Sequence, residues 1–365
     1  MYRPIIYCIL SVFALPIQIQ AQVNVKNATK AVVQVFTYDK EGQLLQSGTA
    51  FYTDKESNAV TSFDVFKHAY KAEIIDYKGE KHNVLRILGA NSTTNLVKFS
   101  TDAPHKKNFF NITDKALAEH SSVNLVRLSN KKTDISPNAS ITGVEQFNNY
   151  CYYKTDIQNI KENITCPLVN ENGSLAAIVQ LNVDKKSKSA YAIDARFINK
   201  LEINGTSALN SDLRAIHIPK GIPTNQQEAL TYLYMFPAAD SINNRIALND
   251  FIQTYPQVAD GYMSRATYFV LHQNYEECEK DFNTALEKAS MDTTGLSLDY
   301  VHYNISDLIY NTILSQKDTA SVYKNWNLSR AEQEAQTAYS LNPNTLYLLQ
   351  QAMILFTQGN YGKSY

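Results

Sequence analysis

Ser47-Gly48-Thr49-Ala50-Phe51-Tyr52, Ala59-Val60-Thr61-Ser62-Phe63-Asp64-Val65-Phe66 and Asn91-Ser92-Thr93-Thr94-Asn95-Leu96-Val97-Lys98 are the segments on which the fold of the first half of the chain turns. Between Ala31 and about Asn204, apolar residues recur in short runs bounded by Gly, Asn, Asp or Lys. Many of these runs alternate with polar residues, the pattern of strands buried on one face. Ala31 to Tyr38 opens the series, and a turn around Lys40-Glu41-Gly42 leads into Gln46 to Thr53, where Gly48 and Ala50 let another backbone come close. Ala72 to Tyr77 and Asn83 to Leu88 flank Lys78-Gly79-Glu80 and read as a hairpin, followed by Leu96 to Phe99.

A second set of runs covers Ser122 to Leu128, Ser140 to Val144, Tyr150 to Thr155 and Ser174 to Val183. Asn170-Glu171-Asn172-Gly173 supplies a tight turn before the last of these, which makes Ser174 a turn residue. Ala190 to Asp194 is a final short strand and Ala195 to Leu201 a closing helix. Periodicity alone does not separate a double barrel from a sandwich.

The order of these segments, together with Cys166-Pro167-Leu168-Val169-Asn170 and Tyr191-Ala192-Ile193-Asp194-Ala195-Arg196-Phe197-Ile198, resembles the trypsin-like, Deg-type serine peptidases over most of residues 31 to 204. The resemblance implies an all-β double barrel. It also implies where the catalytic residues would stand. The family's His precedes the Val of the second quoted segment, and here that residue is Asp64. Its Asp precedes the Leu of the third, and here it is Asn95. With Pro167 taken as the family's proline, the nucleophile position in Glu162-Asn163-Ile164-Thr165-Cys166-Pro167 falls on Ile164.

Acyl transfer at such a site needs a hydroxyl beside an imidazole, an acid that fixes the tautomer, and N–H donors for the oxyanion. Ile164 has no nucleophilic atom, and an aspartate carboxylate is too weak a base to deprotonate a serine at neutral pH. Glu162, Thr165 and Cys166 replace the glycines that the family keeps around its nucleophile, which argues against the usual oxyanion loop. One displaced constellation is conceivable, a Cys166/His68 thiol pair, with His68 four residues after Asp64 and on its face if one helical turn joins them.

Met1-Tyr2-Arg3, an apolar run from Ile5 to about Ile17 and a small residue before a polar start read as a secretory signal peptide cut after Ala21, with an uncleaved anchor as the other reading. Export to periplasm, cell envelope or medium follows, with no membrane span after cleavage. Cys151, Cys166 and Cys278 then remain. Cys151 and Cys166 are candidates for a disulfide between neighbouring strands, or equally for buried thiols. No Cys/His cluster has metal-ligand spacing, and no cofactor motif is present. With 34 Lys and Arg against 35 Asp and Glu, and no basic cluster, the chain has no electrostatic footprint for nucleic acid. The Asn-x-Ser/Thr triplets, from Asn27 to Asn327, would carry glycans only in a eukaryotic secretory pathway, and an Asn-rich composition explains them equally.

Beyond Pro219-Lys220-Gly221-Ile222-Pro223 the period becomes helical. Tyr262, Arg265, Ala266 and Phe269, then Tyr275, Cys278, Phe282 and Ala285, match tetratricopeptide spacing of about 34 residues. Ala331, Ala335, Ala338 and Pro343 end another unit, and Leu349, Ala352 and Phe356 begin the next. A helical bundle without repeat geometry is the plainer alternative. The stretch from Ser290 to Asn327 is longer than a repeat spacer and holds its own helix, Tyr300 to Ser315. The expected organisation is a signal peptide at 1–21, a trypsin-like pseudopeptidase domain at 22–205, a linker at 206–224 and an all-α repeat domain at 225–365 whose last repeat is incomplete. Its expected partner is a protein or peptide held by the repeats, with self-association through the uncapped last repeat. The expected function is non-catalytic binding, and the alternative is an active secreted serine- or thiol-type peptidase with a displaced site.

Overall fold

The computed structural model describes residues 28–104, 108–128, 135–158, 164–180, 190–236, 241–291, 294–315, 323 and 325–363. The signal peptide expected at 1–21 lies outside the described residues. The chain divides into two compact units, one of residues up to 203 with 209–221, the other of 204–208 with 222–365.

The first unit contains two closed antiparallel barrels. Barrel one is built from β1 (Val32–Tyr38), β2 (Leu44–Tyr52), β3 (Asn58–Thr61), β4 (Lys71–Ile75), β5 (Lys81–Asn91) and β6 (Leu96–Thr101), in the order β1-β2-β3-β6-β5-β4. Barrel two uses β7 (Ser122–Val126), β8 (Ile135–Phe147), β9 (Tyr150–Thr155), β10 (Pro167–Val169), β11 (Leu175–Gln180) and β12 (Ala190–Asp194), in the order β10-β11-β12-β9-β8-β7. The alternation read in the sequence has its physical cause in the second barrel, where Val123, Leu125, Ile141, Tyr153, Leu168, Ala177 and Val179 form one buried cluster. The residues of opposite parity are not wasted. Val126, Val169 and Ile178 join Val32, Phe51, Val60 and Leu96 of barrel one in a core common to both barrels.

Three sequence readings change. The closing helix is a 3-10 turn, Ala195–Lys200, capped by Asp194, whose side chain accepts from the Arg196 N–H. A short helix, Ser211–Arg214, lies within the stretch read as a linker, and residues after it bond to barrel one. His217 N donates to Ala69 O at 2.8 Å, Ile87 N to Pro219 O at 2.8 Å and Gly221 N to Ile87 O at 2.8 Å. Strand β8 is 13 residues long, well beyond Ser140 to Val144; its end from Val144 to Phe147 is exposed at every residue and so leaves no hydrophobic period.

The second unit is helical. Calling Phe63–Phe66 α1 and Ser211–Arg214 α2, it comprises α3 (Gln226–Tyr234), α4 (Ser241–Thr254), α5 (Ala259–Leu271), α6 (Tyr275–Met291), α7 (Leu298–Ser315), α8 (Leu328–Leu341) and α9 (Thr345–Thr357). Asparagines start three of them: Asn225 accepts from Glu228 N, Asn327 from Arg330 N and Asn344 from Leu346 N, at 3.1, 2.8 and 2.9 Å. The small residues picked out by spacing, Ala266, Cys278, Ala285, Ala331 and Ala335, are fully buried in one core with Phe282, Ile305 and Trp326. Helix α7, in the overlong stretch, packs against α8. Arg265 on α5 forks onto Asp281 on α6 with two 2.8 Å bonds and reaches Asn249 on α4 at 2.9 Å. Gly261 lets α5 approach α4, since a Cβ there would lie 2.6 Å from Phe251 Cδ1. Gly261→Ala is expected to destabilise this unit by about 1–3 kcal/mol through overpacking, read as an earlier denaturation midpoint of the Trp326 emission.

Candidate functional site

Asp64 and Asn95 lie 31 residues apart in sequence and meet in space. Asp64 sits in the first turn of α1, just after β3, and is exposed. Its backbone N–H donates to Asn95 Oδ1 at 3.0 Å, and Asn95 Nδ2 donates to Asp64 Oδ2 at 3.1 Å. Phe63 N also donates to Asn95 O at 3.2 Å. Asn95 has φ 51°, the left-handed region that asparagine tolerates better than most side chains. The pair is a carboxylate satisfied by a neutral amide. The amide has no charge with which to orient an imidazolium.

Ile164 is half-buried in the turn before β10. Thr165 follows with φ 64°, a strained value for a β-branched residue. That conformation is held by β11, because Thr165 N donates to Val179 O at 2.9 Å and Val179 N to Cys166 O at 3.1 Å. The end of β11 then grips the Asn95 turn, with Gln180 Nε2 donating to Thr94 O at 2.6 Å. Strand β11 thus carries the Ile164–Cys166 turn on one side and is tied to the loop bearing Asn95 at its end. Ser174 closes the turn before β11, its N–H held by Asn170 Oδ1 at 3.0 Å.

His68 is not one helical turn above Asp64. Helix α1 ends at Phe66, and His68, at φ 65°, is exposed with its N–H donated to Ala215 O at 2.7 Å. Cys166 lies elsewhere. It is 2% exposed and shares a pocket with Gln34, Phe36, Thr49 and Arg127. Burial pushes its thiol up to about 11 against the opposing pull of Arg127 and the Thr49 hydroxyl. Of the two alternatives for Cys151 and Cys166, a bridge or buried thiols, the structure has the second: both are buried free thiols. In the barrel order, β11 and β12 separate β9, which carries Cys151, from β10, which Cys166 precedes. The Cys151 thiol contacts Gln146 Oε1 at 3.6 Å instead.

Two features escaped the reading by motif. Asp76, Glu80 and His82 gather at the β4–β5 hairpin with potential ligand atoms within 4.8 Å of one another. Asp76 already has a local task there, since its Oδ1 accepts from Lys78 N at 2.8 Å and Glu80 N at 3.1 Å, and His82 Nε2 lies 3.8 Å from its Oδ2. The second is Arg127, whose Nε is shut off from solvent and has no hydrogen-bond partner.

No family model matches the chain, and no curated protein matches it. Among solved structures it is similar to the serine endoprotease from Yersinia pestis, with 17% identity and a TM-score of 0.42, over 53% of this chain and 66% of that one. No helix among the described residues is long and apolar enough to cross a membrane. By its own architecture, two closed six-stranded antiparallel barrels followed by a helical region, the chain is a double β-barrel with an α-helical C-terminal part.

Proposed function

We propose that the protein is an exported, non-catalytic binding protein: a trypsin-like domain that has lost its triad, at 22–205, joined to tetratricopeptide-type repeats, at 225–365, that hold a protein or peptide partner. The observation that carries the loss of catalysis is the mutual hydrogen bonding of Asp64 and Asn95, which occupies the positions of base and orienting acid with a pair unable to serve as either. Ile164 at the nucleophile position and a buried, high-pKa Cys166 support it. The buried small residues at Ala266, Cys278, Ala285, Ala331 and Ala335 support paired-helix repeats, in which small positions let helices approach. Export rests on the apolar N-terminal run before Ala21. A cleft without chemistry can still hold an extended peptide.

The test is covalent labelling of the folded full chain. A fluorophosphonate serine probe is expected to leave it unmodified, and iodoacetamide at neutral pH is expected to leave Cys166 unmodified, because thiolate, the reactive form, accumulates only as pH rises toward about 11. Stoichiometric modification of one serine, or of Cys166 at neutral pH, would establish the active-peptidase alternative with a displaced site.

A further inference from the structure

Where β1 and β2 of barrel one face β7 and the turn before β10, there is a pocket of about 290 Å³. Its wall on barrel one is a contiguous patch, since Gln34 pairs directly with Thr49 and Phe36 with Ser47 across the two strands. Barrel two contributes Arg127, Leu128 and Cys166. Gln34 and Ser47 are exposed and form the mouth. Among the described residues no carboxylate pairs with Arg127, and its Nε has no acceptor although solvent does not reach it.

A sealed guanidinium N–H without an acceptor is costly. Elsewhere the same chain gives its half-buried arginines forked carboxylates: Arg196 has Asp194, Arg265 has Asp281 and Arg330 has Glu279. Arg127 departs from that practice, and it does so inside a cavity lined by hydroxyls, an amide and a protonated thiol. These groups can hydrogen-bond an anion but cannot neutralise the cation. The planar fork of arginine matches a carboxylate in two parallel bonds.

We propose that this pocket is a carboxylate subsite, in which Arg127 forks onto the carboxylate, Ser47 and Gln34 close over it from the mouth, and Phe36 and Leu128 flank the group that bears it. The source is the C-terminal carboxylate or an acidic side chain of a peptide, which deepens the peptide-binding reading and rests on it only for that source.

The full chain is titrated with benzoate and with its uncharged counterpart benzamide, following the Arg127 Nε–H resonance by NMR and the heat by calorimetry. Benzoate is expected to shift that resonance saturably, with affinity that falls as salt rises, and benzamide to leave it in place. Arg127→Gln is expected to abolish the benzoate response. Equal responses to the two ligands, no saturable benzoate response, or undiminished affinity in Arg127→Gln would overturn the proposal. The ligand comparison on the unaltered protein decides even if the variant does not fold. Peptides then separate the sources. A C-terminal carboxylate predicts loss of about tenfold or more in affinity on amidation of the terminus, and an acidic side chain predicts that loss on Glu→Gln within the peptide instead. If benzoate binds and no peptide does, the pocket stands and peptide binding falls. If peptides bind the unaltered protein and Arg127→Gln alike while benzoate does not bind, peptide binding stands and the subsite falls.

Discussion

Arg196→Met is expected to cost the double-barrel unit about 3–5 kcal/mol, because it strands a buried carboxylate. Asp194 is fully buried at the end of β12. Arg196 Nε donates to both of its oxygens, at 3.0 and 3.1 Å, and a second guanidinium nitrogen bonds Oδ2. The remaining donors around Asp194 are Arg196 N at 3.0 Å, Cys151 N at 3.3 Å and Tyr153 OH at 3.4 Å. These are neutral donors, and two are long. The converse change, Asp194→Asn, is expected to cost less, about 1–3 kcal/mol, because the arginine side chain is 24% exposed and can turn to water. Urea melts followed by far-UV circular dichroism check the order of the two. Trp326, the chain's single tryptophan, lies in the helical unit and reports that unit separately. Arg196→Met milder than Asp194→Asn would mean that Asp194 has water or another partner when its arginine is gone.

Most of the strands were legible because half-buried strands write their burial into alternate residues, as in Val123, Leu125 and Tyr153, whereas their division into two barrels was implied only by the resemblance. The meeting of Asp64 with Asn95 was legible only through resemblance, since nothing in either side chain announces a partner 31 residues away. What stayed hidden has a common physical character. The Asp194–Arg196 knot looks in sequence like two polar residues at a strand end, and only burial turns it into an ion pair. Arg127 looked like an ordinary polar residue after β7, because its significance is a buried Nε without an acceptor and, among the described residues, no paired carboxylate, which spacing cannot show. The Cys151–Cys166 alternative was left open by sequence because bridging depends on strand adjacency, and barrel order places two strands between them. The 3-10 form of Ala195–Lys200 escaped because a run of that length carries too few residues to set one helical period against another.

Gly89→Ala is expected to cost about 3 kcal/mol, at the upper end of the usual range for overpacking, and to disturb the candidate site from a distance. A Cβ at Gly89 would lie 2.3 Å from Leu201 C and 2.6 Å from Glu202 N. These are backbone atoms of the segment leaving barrel two, so no rotamer change relieves the clash and one of two main chains must move. Gly48→Ala makes the contrasting case. There the nearest atom is a methyl, Val65 Cγ2, at 2.9 Å, which can rotate away, and the expected cost is about 1 kcal/mol. The larger displacement also has a route to the site. Gly89 pairs with Lys98, and Asn91 with Leu96, across β5 and β6, and the turn between these strands contains Asn95. A shift of β5 is therefore expected to alter the side-chain amide signal of Asn95, whose position depends on the bond to Asp64. Melting followed by circular dichroism gives the first effect, and NMR of that amide gives the second. An unchanged Asn95 amide in a destabilised Gly89→Ala protein would show that the Asp64–Asn95 pair is held by α1 and the turn alone, independently of the strand that leads into it.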